Sequence, residues 1–177
     1  RNQIMIAWRG IKKYLPGFEN AYITRICPEL RIRETGRILG DYVITAEDVR
    51  ENRRFKDKIG LNTFPAGSKH VIGHDTLGKD PNTEFYGPPK NGGSCDIPYR
   101  ALVPQKVENM LVAGKAISTE RAAHHRFLQQ TIVTGQAAGV AAALCARDGI
   151  TPRQLEEDVS ELQDILRKQG AILEGTH

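Results

Sequence analysis

The sequence has little of what marks a specialised environment. Its 177 residues include one tryptophan, two methionines and three cysteines, and aromatic residues make up 6%. Cys27, Cys95 and Cys145 are odd in number, far apart and never in a CxxC pair, so spacing suggests neither a disulfide framework nor a zinc site. This usage predicts a reducing compartment, the cytoplasm. No stretch reads as a signal peptide. The longest weakly polar run, Ile132 to Ala146, is Ala/Gly-rich and too short to span a bilayer. Charge of one sign is not concentrated: 25 basic and 21 acidic residues are interspersed, for a net +4. A nucleic-acid binder gathers cations on one face among aromatics. Only Arg50-Glu51-Asn52-Arg53-Arg54 approaches that, and it reads as a solvated helix face. No GxGxxG follows a strand, and no acid is placed to hold a ribose. The first residue is an arginine already inside a helical pattern, so the chain reads as cut from something longer.

What is present is ordinary for a globular chain, 40% hydrophobic and 26% charged, with the length of one domain and a modest core. Ile4, Trp8, Ile11 and Leu15 recur at helical spacing until Pro16-Gly17 breaks the pattern. Residues 31 to 45 read as extended, with Gly36 and Gly40 marking a turn or bulge. Thr45 with Asp48 predicts a cap for a short helix over 46 to 54. Residues 60 to 98 are dense in glycine and proline and read as a long functional loop hiding short strands near Leu61 to Phe64 and Ser94 to Pro98.

From Val107 the character changes. Met110-Leu111-Val112-Ala113 ends in Gly114, the pattern of a strand buried on both faces. A helix is predicted from Gln129 to Arg147 with Asp148-Gly149 as its stop. Thr151, Pro152 and Gln154 predict a capped turn, then Asp158 with Glu161 caps a last helix whose stripe is Leu162, Ile165 and Leu166, ending at Gly170.

The stretch that bears on chemistry runs from Asn109 to Lys115 and on to Ala143. A strand ending in Ala113-Gly114 lets a ligand approach the backbone, because neither residue has bulk. Gly135, Gly139, Ala138, Ala142 and Ala143 give the helix a small-residue face for close packing on a backbone or a flat ring. Its first-turn N–H groups offer partial positive charge to an anion. The bland reading of the same residues is a tightly packed core helix that binds nothing.

Several motifs in order tip the balance. Ile97-Pro98-Tyr99-Arg100-Ala101-Leu102-Val103-Pro104, then Asn109 to Lys115, then Gly135 to Ala142, with Arg33 to Tyr42 upstream, resemble the C-terminal segment of FAD-dependent oxidoreductases with a glutathione-reductase-like fold. The resemblance implies an α/β fold: the end of an inserted α+β substrate-covering domain over 1–95, and the C-terminal part of the FAD-binding domain over 96–177. It implies hydride or electron transfer between a small organic substrate and flavin, with the adenosine half of FAD held by an N-terminal half of the same protein. The isolated chain is then expected to be inactive and to bind FAD poorly or not at all.

Under that resemblance Ala113, Gly114, Lys115, Ile117 and Ser118 lie along the cofactor. Gln129, Gln130 and Thr131 aim N–H groups at its pyrimidine edge, and Gly135, Gln136 and Ala138 follow on the helix. Arg126, His125 and His70 are the substrate-side candidates. The loop from Ser118 to Arg126 is about two residues shorter than the family pattern, and Glu120-Arg121 stand where that pattern has a histidine. No catalytic base is therefore assigned. A metal role for His70 and His74-Asp75 is set aside, since two ligands do not make a site. Tyr99-Arg100 either bind a substrate carboxylate or brace the sheet. The contrasting reading is a non-enzymatic module whose small-residue helix packs on a partner chain; nucleic-acid binding is weaker still.

Overall fold

The computed structural model describes residues 1–28, 36–66, 88–123 and 125–175. It divides into two compact units, Arg1–Ile32 and Arg33–His177. In the first, helix α1 (Asn2–Tyr14) follows the predicted spacing and ends as expected: Leu15 is extended and Gly17 takes φ +88°. The chain then turns back so that the Trp8 indole N–H donates to the Ala21 carbonyl at 3.3 Å.

The second unit is built from helix α2 (Ala46–Arg50), strands β1 (Lys58–Asn62) and β2 (Cys95–Pro98), the long helix α3 (Leu128–Asp148) and helix α4 (Ser160–Lys168). The Thr45–Asp48 box caps α2 in both directions, at 3.0 and 2.9 Å. The helix stops at Arg50, earlier than expected, and Asn52 turns the chain with φ +53°. β1 and β2 pair antiparallel with an irregularity between Lys58 and Gly60. They match the two strands expected in the glycine-rich stretch, the first a little earlier than Leu61 to Phe64. The boundary expected between residues 95 and 96 therefore runs through β2.

Helix α3 spans one residue more at each end than its pattern predicts, and Gly149 closes it with φ +66°. Its buried side is Gln130, Thr134, Ala137, Ala141 and Leu144, at alternating steps of four and three. The fit against β1 is close: a Cβ on Gly60 would meet Val133 Cγ1 at 2.1 Å. α4 buries Leu162 and Leu166 fully, each burial stabilising by about 2 kcal/mol. It is fastened to β1 by Gln163 Nε2, which donates to the carbonyls of Lys56 and Lys58 at 2.7 and 3.0 Å. Around these sit Ile44, Val49, Ile59, Ile97, Tyr99, Leu102 and Ile117, all buried. Before α4, Thr151 and Gln154 form the expected reciprocal cap at 2.8 and 3.3 Å. The expected Asp158–Glu161 cap does not form: Val159 takes the cap position of α4 without a side-chain cap bond, and Asp158 accepts from the Ser160 N–H at 2.9 Å.

Two further expectations fail. Met110 to Ala113 is not a strand: the Val112 N–H donates to the Leu102 carbonyl at 2.9 Å, Met110 is exposed, and Leu111 to Ala113 are half-buried. An apolar run becomes a strand only when backbone flanks it, and among the described residues just that one ladder-like bond does so. Residues 36 to 45 likewise form no regular strand, only isolated bridges from Gly40 to Pro104 and from Ile44 to Thr119. Residues 31 to 35 lie outside the described residues. Among the described residues no helix is long and apolar enough to cross a membrane. None of those residues gathers three or more metal-ligating side chains.

Candidate functional site

The site is built where Gly114 meets the start of α3. Gly114 takes φ +75°, a conformation that a residue with a side chain rarely adopts, and opens a short 3-10 turn through Ala116. Its N–H donates to Thr134 Oγ1 at 3.0 Å, and that hydroxyl donates in turn to the Gln130 carbonyl at 2.9 Å. A Cβ at Gly114 would meet nothing nearer than Thr131, at 3.9 Å. Gly114 and Thr131, predicted to share the site, are therefore neighbours. Leu128 and Gln129 at the helix start are exposed, and the first-turn amides of a helix have no intrahelical acceptor; the Thr131 N–H, expected to point at a cofactor, lies one turn in and donates instead to the Phe127 carbonyl at 3.0 Å.

The helix start is held from below. Gln130 is buried; its Oε1 accepts the Phe127 N–H at 3.0 Å, and its Nε2 donates to Asn62 Oδ1 at the end of β1. Asn62, also buried, accepts the Phe64 N–H at 3.0 Å, and the Phe64 and Phe127 rings stack at 4.0 Å. Sequence reasoning missed Asn62, Phe64 and Phe127. The available signal was a glutamine three residues after the cap, half of a capping box, obscured by a phenylalanine where serine or threonine usually stands.

The remaining predicted residues divide. Ala113 and Lys115 are half-buried beside Gly114, and Gly135 is exposed on α3. Gln136 instead donates to Gln169 Oε1 at 2.9 Å, toward the end of α4. Ala138 lines a separate cavity of about 740 Å³ between α3, Asn109, Leu111 and the Gly149 to Pro152 turn. Ile117 and Ser118 are buried in the core, Ser118 lying under Gly40, so they present no surface to a cofactor. Among the substrate-side candidates, His125 is buried and Arg126 is half-buried with its guanidinium 5.7 Å from the Phe127 ring centre. His70, His74, Asp75 and His124 lie outside the described residues.

Tyr99-Arg100 resolve toward bracing. The Tyr99 hydroxyl donates to the Pro152 carbonyl at 3.0 Å, and burial pushes its pKa up. Arg100 clasps Asp57 through Nε and a terminal nitrogen at 2.9 and 3.2 Å, with its guanidinium over the Tyr42 ring. The hydrogen bond to Asp57 is the main cause that raises the Arg100 pKa. Nearby, Arg153 pairs with Asp41, Glu108 and the Pro104 carbonyl. Glu156 is pushed up to about 7, first by burial and then by the Asp41 carboxylate.

The buried face of α3 leaves an opposite one uncovered: Leu128, Ile132, Gly135, Gly139, Ala142 and Ala146 are exposed along the helix. Comparison with known proteins gives one result. A family model described as FAD dependent oxidoreductase matches residues 1–166. No curated protein and no solved structure matches the chain.

Proposed function

The chain belongs to the FAD dependent oxidoreductase family, and on that footing we propose that Gly114 and the first turn of α3 form the flavin-facing side of its cofactor site. The observation that carries this reading is the pairing of Gly114, at positive φ and without a side chain, with the exposed helix start beside Thr131. These residues fit a flat ring. A surface without a Cβ admits close approach, Ala113 adds little bulk, and helix amides supply donors where negative charge builds. When bound, the flavin supplies the hydride or electron exchange with a small organic substrate. The chain's own part is to hold the Gly114 turn through Thr134, to keep donors fixed in place, and to offer Lys115 as a cation beside the turn.

In this reading the fold is glutathione-reductase-like, with residues 1–95 closing a substrate-covering domain and 96–177 returning to the FAD-binding domain. The adenosine half of FAD is held by an N-terminal half carrying GxGxxG. The uncovered stripe of α3 supports this, as a face on which further polypeptide packs. Arg126 stays the substrate-side candidate nearest the helix start; His125, being buried, meets substrate only if its surroundings open. Cys27, Cys95 and Cys145 are free thiols, in keeping with a cytoplasmic setting. The second reading, a module packing on a partner through the same stripe with no cofactor, is separated by flavin content.

The test is FAD retention by the full-length protein carrying Gly114→Val. A β-branched side chain at positive φ is strained by roughly 1–3 kcal/mol and covers the approach, so FAD occupancy falls about tenfold or more while circular dichroism is unchanged. Full occupancy in G114V removes Gly114 from the site. A flavin-free wild-type protein supports the module.

A further inference from the structure

Four contacts converge beneath the start of α3, between two buried amide side chains and two half-buried rings. Asn62 and Gln130 are 1% and 2% exposed. The Gln130 side chain uses both ends, accepting from the Phe127 N–H at 3.0 Å and donating to Asn62 Oδ1. Asn62 Oδ1 takes a second donor, the Phe64 N–H at 3.0 Å, and so is fully engaged. The Phe64 and Phe127 rings lie nearly parallel, 10° apart. One turn further along, Val133 sits against Gly60 of β1.

We infer that Asn62 and Gln130 are positioning residues that fix the direction of the α3 first-turn amides, and thereby set how strongly the site favours reduced over oxidised flavin. The inference rests on the flavin reading of that helix start. Its logic is that a terminal helical turn has few bonds of its own and frays unless tied down. Here the first turn is tied through Gln130 to the end of a strand, which is packed in the core. The tie is neutral. Two amides anchor the turn without placing a carboxylate under it, so the positive end of the helix is not neutralised from within and stays available to an anion outside. A capping aspartate or glutamate would hold the turn equally well but would oppose the charge that a reduced flavin develops.

The experiment uses the full-length holoprotein with three variants: Asn62→Leu, Gln130→Leu and the double variant. Each single change leaves the other buried amide unpaired, and every variant also strands a backbone donor, the Phe64 N–H in Asn62→Leu and the Phe127 N–H in Gln130→Leu, so all three lose stability, the double variant by less than the sum of the singles. A merely structural pair would lower stability and leave the potential of the flavin-bound variants unchanged. The expected result is different. All three bind reduced flavin less well relative to oxidised flavin, by about tenfold, read as a fall of about 30 mV in the two-electron midpoint potential. The fall does not track the loss of stability: the double variant shows it in full although it is less destabilised than the two singles together. An unchanged potential in the flavin-bound double variant overturns the inference and leaves the flavin reading intact. A full-length wild-type protein that carries no flavin overturns both, and is recognised before any variant is made.

Discussion

Replacing Gly60 with alanine tests the docking of β1 on α3 with a single methyl group. The added Cβ would stand 2.1 Å from Val133 Cγ1 and 3.4 Å from Val133 Cβ. Carbon atoms prefer about 3.5–4.0 Å, so the methyl arrives well over 1 Å too close to one branch of the valine while clearing its stem. Valine in a helix is held strongly to one χ1 rotamer, so it yields only at a cost. Overpacking of this kind destabilises by about 1–3 kcal/mol. For a chain this long that lowers Tm by roughly 2–12 °C. Val133→Ala removes the clashing branch, and the two Cβ atoms then meet at an ordinary 3.4 Å. The double variant G60A/V133A is accordingly more stable than the sum of its parts predicts, with a coupling energy of about 1 kcal/mol or more. Urea denaturation of the wild type, both singles and the double closes the cycle. Strict additivity, or a fully stable G60A, would refute the contact.

Two further outcomes follow from ionisable groups. Glu156 is pushed up to about 7 in the folded protein against an ordinary 4.5, by burial and Asp41. The native chain therefore keeps the proton after the unfolded chain has released it. That contribution is fully present below about pH 4.5 and is lost as pH rises toward about 7. E156Q should flatten this part of the pH profile of urea midpoints, and an unaltered profile counts against it. Among the thiols, Cys27 is exposed while Cys95 and Cys145 are buried, and burial pushes Cys95 up to about 12. A thiol reagent near neutral pH should label Cys27 quickly and the other two only on unfolding; rapid labelling of all three would contradict their burial.

How far the sequence carried depended on whether a signal was local. Thr45 with Asp48, Thr151 with Gln154, and Gly149 after Asp148 each settle a helix end with residues a few positions apart, and the structure has them all. Met110 to Ala113 read as a strand because composition reports a wish for burial, whereas a strand also needs neighbours that sequence does not name. At the site, Gly114 and Thr131 were brought together by the family resemblance, with a strand end rather than a 3-10 turn expected at Gly114. The Asn62–Gln130 tie was not, because its partners stand far apart in the chain and neither residue type is rare at a surface. Ser118 and Ile117 show the reverse error: adjacency to Gly114 in sequence placed them along a cofactor, but the 3-10 turn through Ala116 carries them into the core.

Helix α3 is about 30 Å long, fixed near one end by Gln130 and near the other by Arg147, which grips Asp148 and Glu161. A rod held at both extremities resists tilting, and over that length even a tilt of about 2° about one end would move the other by about 1 Å. The two ties together thus keep the end of α3 beside Gly114 in one place.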